Sequence, residues 1–259
     1  MTAHTAPPAS VAEVADDILE ALVILVPSRG RPGNVIDLIA AWQDTADGGY
    51  AELVIALDDD DPALDRYLDV LGVDDTADHE LPDGVRVVIG ERLRLGGTLN
   101  ALAPVFAPNR AGVGFFGDDH RPRSSGWDRR LFEAVIEQPN AVVYGNDLVR
   151  GSQLPTAVVL DAAIIIELGY MVPPGAVHLY LDDYWLRLGK DLGSITYLDD
   201  VVIEHRHPIA GTAELDDGYR EVNRPELYAA DEARFRRYLD EEHADALAAL
   251  RNPSKFGAL

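Results

Sequence analysis

Asp118 and Asp119 stand directly behind the apolar run Val113-Gly114-Phe115-Phe116, in the order Gly117-Asp118-Asp119-His120. A short hydrophobic run bounded by glycines reads as a buried strand, so the two carboxylates fall at its carboxyl end, where open α/β sheets hold their ligands. Crowded carboxylates repel and are tolerated where solvated or bridged by a cation, and an oxygen-rich set of this kind suits Mg2+ or Mn2+. Asp-Asp also ends strands as turn or helix-capping chemistry, so the motif alone leaves both readings open. A second set lies in Val201-Val202-Ile203-Glu204-His205-Arg206-His207-Pro208, where an extended backbone points His205 and His207 to the same side. Neutral imidazole is a good Mn2+ ligand and could complete a site begun by carboxylates. His120 and His178 are weaker candidates.

These groups need a scaffold, and the hydrophobic pattern supplies one. Apolar runs at 22–26, 53–57, 85–89, 113–116 and 141–144 predict buried strands, with helices between them at 33–42, 62–71, 97–105 and 126–138. This β-α-β-α order predicts an α/β fold with a mainly parallel sheet flanked by helices. Four loops then open on one sheet edge: Pro27-Ser28-Arg29-Gly30-Arg31-Pro32, Asp58-Asp59-Asp60-Asp61, Gly96-Gly97-Thr98-Leu99-Asn100 and the acidic pair. Singly each is a turn or a solvated run; together they describe a pocket whose parts suit the base, ribose and diphosphate of a nucleotide. Beyond them the pattern predicts a strand at 156–160, a helix at 161–168 opened by an acidic N-cap, a helix at 182–188, short strands at 194–198 and 201–204, and one amphipathic helix over 225–250. A short helix is expected near 11–20, after a loose Ala-, Pro- and Thr-rich start.

Composition bounds the function. The 259 residues are 47% hydrophobic, enough for one large core. There is no cysteine, which excludes disulfides, thiolate metal sites and cysteine nucleophiles. No segment approaches the length of an apolar membrane span, and residues 1–10 lack the pattern of a signal peptide, so a cytoplasmic protein is expected. The net charge of −23 opposes direct binding to nucleic acid. Two local basic clusters, Arg92 with Arg94 and Arg121, Arg123, Arg129 and Arg130, could still meet a diphosphate at short range.

The order of Pro27-Ser28-Arg29-Gly30-Arg31-Pro32, the Asp58–Asp61 run, Gly117-Asp118-Asp119, Leu181-Asp182-Asp183-Tyr184-Trp185 and the late Glu204-His205-Arg206-His207-Pro208 resembles a GT-A glycosyltransferase. The likeness is to family 2-like enzymes and to phage or actinobacterial relatives, over residues 22–208. It implies a nucleotide-sugar donor and Mn2+ or Mg2+ across the donor's diphosphate. It places Pro27, Ser28, Arg29, Arg31, Asp58, Gly97, Asn100 and Asp118 at the donor nucleotide, and Asp119 with His205 or His207 at the metal. The usual acidic motif is Asp-x-Asp; here Gly117 stands where the first Asp would be, which favours Asp119 as the direct ligand.

By the same resemblance Asp182 and Asp183 match the pair that supplies the base in inverting members, with Asp183 preferred. Without the resemblance the pair reads as a helix cap. Trp127, Trp185, Asn146 and Asp147 are candidate sugar or acceptor contacts, the acceptor being a glycan, protein, lipid or modified base. The implied organisation is a tail and short helix over 1–20, a GT-A domain over 21–222 and a helical extension over 223–259, located in the cytoplasm, or in the host cytoplasm for a phage-encoded chain. A nucleotidyltransferase would share the sheet and metal but needs a basic, glycine-rich triphosphate loop, and Ser28-Arg29-Gly30-Arg31 lacks its lysine. A non-catalytic nucleotide- or carbohydrate-binding module would not need both a metal site and Asp182-Asp183.

Overall fold

The computed structural model describes residues 21–73, 81–207, 211–212 and 217–253; the helix expected near 11–20 lies outside them. The first half alternates as the apolar runs require: β1 (Leu22–Ser28), α1 (Pro32–Thr45), β2 (Ala51–Asp58), α2 (Leu64–Leu71), β3 (Val85–Gly90), α3 (Arg94–Phe106) and β4 (Gly112–Phe115). β1 is buried on both faces. Leu22, Ile24 and Val26 enter one core with Trp42, Trp127 and Leu131, while Val23 and Leu25 enter the other with Leu99, Ile164 and Trp185. β2 and β4 flank β1 in parallel and β3 extends β2 in parallel, so the four loops that follow these strands share one edge.

The second half continues with β5 (His120–Pro122), α4 (Trp127–Ile136), β6 (Val142–Asn146), β7 (Val158–Asp161), α5 (Ala162–Leu168), α6 (Leu181–Leu192) and β8 (Ile195–His205). The sheet runs β3-β2-β1-β4-β7-β6-β8-β5. It is mixed, because β7 is antiparallel to both β4 and β6, and β5 is antiparallel to β8. α5 opens as the sequence predicts, with the Asp161 carboxylate accepting the Ala163 N–H at 2.9 Å.

Two expectations change. The strands expected at 194–198 and 201–204 are one, β8, whose register with β6 jumps from Gly145 opposite Leu198 to Asn146 opposite Val202. The extra residues form a bulge, and Gly145 makes room for it: a Cβ there would lie 2.3 Å from the Val201 carbonyl oxygen. Beyond the bulge β8 pairs with β5, which puts His205 directly opposite His120. The helix expected over 225–250 is two, α8 (Pro225–Glu241) and α9 (His243–Arg251), preceded by the short α7 (Asp217–Val222). The break lets His243 Nε2 meet Asp191 Oδ2 of α6 at 2.8 Å while Tyr238, Leu247 and Leu250 enter the second core. Among the described residues no helix is long and apolar enough to cross a membrane.

Gly145→Ala should therefore destabilise the fold by about 1–3 kcal/mol through overpacking at the bulge. Thermal unfolding checks this, with an expected fall in Tm of roughly 2–12 °C.

Candidate active site

The carboxyl ends of β1 and β4 meet at Asp118. Its buried carboxylate accepts from Ser28 Oγ at 2.6 Å, Arg31 Nη1 at 3.3 Å and Asn34 Nδ2 at 3.4 Å. The Ser28 proton is spent on Asp118, so the 2.7 Å contact between Ser28 Oγ and Tyr67 is donated by the Tyr67 hydroxyl, which in turn accepts the Arg31 N–H at 2.7 Å. Burial pushes the Tyr67 phenol up to about 12, which keeps its proton in place. Burial and then the charge of Asp119 raise the Asp118 carboxyl above its ordinary range, against the pull of Arg31 and Ser28.

Asp119 is served differently. Its Oδ1 lies 3.7 Å from His205 Nε2 and 3.5 Å from His120 Nδ1, and its Oδ2 accepts from the Tyr219 hydroxyl of α7. Burial opposes its charge, but the adjacent His205 imidazole and the Tyr219 hydroxyl outweigh that and hold the carboxyl below its ordinary range. Burial pushes His120 down to about 3, so its ring is neutral. Its Nδ1 accepts the Gly117 N–H at 2.8 Å, which puts the ring proton on Nε2. The ring stacks on His205 at 4.4 Å and 20°, fixing the plane of that imidazole.

Asp119 Oδ1 and His205 Nε2 are close enough for one divalent ion to touch both, because donors each about 2.1 Å from an ion lie at most about 4.2 Å apart. Among the described residues no three His, Asp or Glu side chains form a cage of their own. Few protein donors with the remaining positions left to phosphate oxygens and water is the way Mg2+ is held beside nucleotides. His207 stands behind, its ring 5.0 Å from that of His205 and 5.3 Å from that of Tyr219.

Asp182 and Asp183 lie in the first turn of α6 rather than at its cap, which is Tyr180 with φ 63°. Asp182 Oδ1 accepts the Asp183 N–H at 3.0 Å. Burial, then the Asp183 charge, pushes the Asp182 carboxyl up to about 6, and burial also raises Asp183. The charge of Arg150 lowers both of them and His207. The segment leading into the pair is gripped from two sides. The Asp231 carboxylate of α8, 2% exposed, accepts the N–H groups of Val177, His178 and Leu179 at 2.8–3.0 Å. On the other side α3 presents Gly96, where a Cβ would lie 2.1 Å from the Ala176 carbonyl oxygen.

Several expected site residues are occupied elsewhere. The Asn100 amide accepts from Met171 N and Val172 N and donates to Val172 O, so it holds backbone and is not open to a nucleotide. Asp147 accepts the N–H groups of Val149, Arg150 and Gly151 and the Thr156 hydroxyl, all at 2.7–2.9 Å, leaving nothing for a sugar; its carbonyl holds His205 N at 3.0 Å. Asn146 caps the same turn through Leu148 N. Trp127 and Trp185 are 0% and 1% exposed in the two cores, and neither offers a face to a ligand. Of the second basic cluster, Arg121 is buried against the carbonyls of Asp118 and His120, while Arg123, Arg129 and Arg130 pair with Glu204, Asp47 and Asp200. Pro27, Ser28, Arg29, Arg31 and Asp58 do converge at the edge, with Arg29 Nη1 2.9 Å from Asp58 Oδ2, and Gly97 sits in the first turns of α3. Tyr67, Asn34, Tyr219 and Asp231 are not legible from motif and spacing, because each acts from a helix remote in sequence from the group it touches.

No family model matches the sequence, and no curated protein is significantly similar to it. Solved structures are. A mannosyltransferase from Pyrobaculum calidifontis, PcManGT, in complex with GDP-Man and Mn2+, superposes with a TM-score of 0.51 at 13% identity, covering 93% of this chain and 78% of that one. Glucosyl-3-phosphoglycerate synthase from Mycobacterium tuberculosis, in complex with Mn2+, UDP-Glc and phosphoglyceric acid, superposes at 0.55 with 14% identity over 89% of this chain and 85% of the other. Residues 1–349 of S. aureus TarS give 0.52 at 13% identity, covering 91% and 75%. Likeness at this identity concerns the fold, and the chain has the GT-A glycosyltransferase fold.

Proposed function

We propose that this chain is a metal-dependent glycosyltransferase that moves a sugar from a nucleotide-diphosphate donor to an acceptor hydroxyl with inversion. The observation that carries the reading is the pairing of Asp119 with His205 at 3.7 Å, on the sheet edge where Ser28, Arg31 and Asp58 also end. Neighbours of the same fold are described in complex with Mn2+ and GDP-Man or UDP-Glc, which supports the same class of donor here.

In this reading Asp119 and His205 hold Mn2+ or Mg2+, and the ion when bound offsets the charge that develops on the departing diphosphate. Ser28, Arg29, Arg31, Asp58 and Asp118 line the nucleoside side. The acceptor oxygen attacks the anomeric carbon, the bond from that carbon to the phosphate oxygen breaks with its electron pair leaving on the nucleoside diphosphate, and the acceptor proton passes to a carboxylate of the Asp182–Asp183 pair. Asp182 is placed ahead of Asp183 as that base. Its carboxyl, raised to about 6, is ionised at neutral pH and still basic enough to take a proton.

Binding and chemistry are tested separately. Asp119→Ala should keep the fold and lose Mn2+-dependent binding of nucleoside diphosphates in calorimetric titration; unchanged binding would refute the metal assignment. Asp182→Asn should keep donor binding and lose transfer by a factor of about 100 to 10,000. Because only the carboxylate accepts a proton, wild-type transfer should rise as pH climbs through about 6 and the Asn variant should lack that rise. Wild-type rates in both Asp182→Asn and Asp183→Asn would remove the base from this pair.

A further inference from the structure

Arg92 and Arg94 reach a single carboxylate, that of Glu221 on α7. Arg92 Nη2 lies 3.3 Å from each Glu221 oxygen, and Arg94 Nη1 bonds Oε1. The contact joins parts of the chain far apart in sequence, unlike the local pairs Arg187–Asp191 and Arg236–Glu232. It also borders the edge described above, where Arg92 Nε is 3.7 Å from Asp58 Oδ2. Arg94 has a left-handed backbone, φ 64°, and it lines a cavity of about 540 Å³ together with Glu221, Arg224 and Val177.

Two residues before Glu221, the Tyr219 hydroxyl sits on Asp119 and the Arg31 guanidinium lies 4.6 Å above the Tyr219 ring. One short segment thus places a hydroxyl on the carboxylate read as a metal ligand and a carboxylate between two arginines. Guanidinium presents the same fork to a carboxylate and to a phosphate. Arg29, Arg92 and Arg94 are offset by Asp58, Asp60 and Glu221, so withdrawal of Glu221 frees one positive charge for a ligand.

We propose that Arg92 and Arg94 form a clamp for a phosphate group of the substrate, and that Glu221 fills this clamp in the ligand-free chain while Tyr219 covers Asp119. The identity of the substrate rests on the glycosyltransferase reading; the self-occupation rests on the contacts of Glu221 and Tyr219. The phosphate belongs either to the donor's diphosphate or to an acidic acceptor. In both cases the apparent affinity is lowered by the fraction of molecules in which Glu221 already occupies the clamp.

Calorimetric titration of the whole chain with inorganic phosphate, wild type beside Glu221→Gln, tests this, with Mn2+ titrated into wild type and Tyr219→Phe. Glu221→Gln should bind phosphate about tenfold more tightly or better, Tyr219→Phe should bind Mn2+ more tightly, and Arg94→Gln added to Glu221→Gln should abolish the gain. Should Glu221→Gln lower the Tm sharply, Glu221→Asp, which draws the carboxylate back by one methylene, replaces it in the same comparison. If phosphate affinity does not change while Mn2+-dependent nucleoside diphosphate binding is intact, the self-filled clamp is wrong and the glycosyltransferase reading stands. If wild type and both variants bind neither Mn2+ nor nucleoside diphosphate, both are wrong. Repeating the phosphate titration on Glu221→Gln with Mn2+ and nucleoside diphosphate bound separates the sources: phosphate excluded assigns the clamp to the donor, phosphate retained assigns it to the acceptor.

Discussion

A carboxylate loses much of its solvation when a protein closes over it, and two in succession stay charged only if each finds its own hydrogen-bond donors. Asp118 and Asp119 are in this position, and the surrounding structure separates their fates. Asp118 takes Ser28, Arg31 and Asn34 from the β1 side; Asp119 takes the Tyr219 hydroxyl from the opposite side, with His205 3.7 Å away. The division requires β8 to arrive beside β5 in a set register, and the bulge at Gly145 delivers it there. The result is one carboxylate bonded to three protein donors and another set between an imidazole and a phenol hydroxyl.

The same chemistry, a buried acid satisfied by backbone N–H groups, holds the loops around this edge. Asp61 joins Gly30 N to Ala63 N, Asp147 gathers the turn that carries Arg150, and Asp231 fixes the approach to Asp182, while at the far edge of the sheet Asp128 holds Asp47 N and Gly48 N in the same way. Each such carboxylate satisfies donors that would otherwise be buried without partners. Two consequences follow for a chain so rich in acid. Many of its buried aspartates are structural, and the C-terminal helix α8 holds the segment leading into α6 through Asp231 rather than merely covering a core.

The sheet is legible because short continuous hydrophobic runs, such as residues 22–26, buried on both faces and separated by helical patterns, read as strands of a parallel sheet. The convergence of the candidate residues is legible where motif and strand end coincide, as at Ser28, Asp119 and His205. It is not legible where a polar residue is consumed by distant backbone. Nothing in the sequence around Asn100, Asp147 or Asp231 distinguishes an acid or amide that holds a loop from one that holds a sugar, because the partner groups are main-chain atoms with no sequence signature. Trp127 and Trp185 illustrate the reverse case: an aromatic next to a motif suggests a stacking surface, but the packing of α4 and α6 puts both indoles inside. β5 was missed because three residues carry no periodicity, although it sets His120 opposite His205.

In the proposed function Asp119 and His205 together hold a divalent ion against a nucleoside diphosphate. Pulsed electron paramagnetic resonance of Mn2+ bound to the whole chain with a nucleoside diphosphate measures this at the ion itself. The account predicts couplings from one imidazole nitrogen and from phosphorus, with the nitrogen coupling lost in His205→Gln while the fold persists. A nitrogen coupling unchanged in His205→Gln, or none in the wild type, would contradict it.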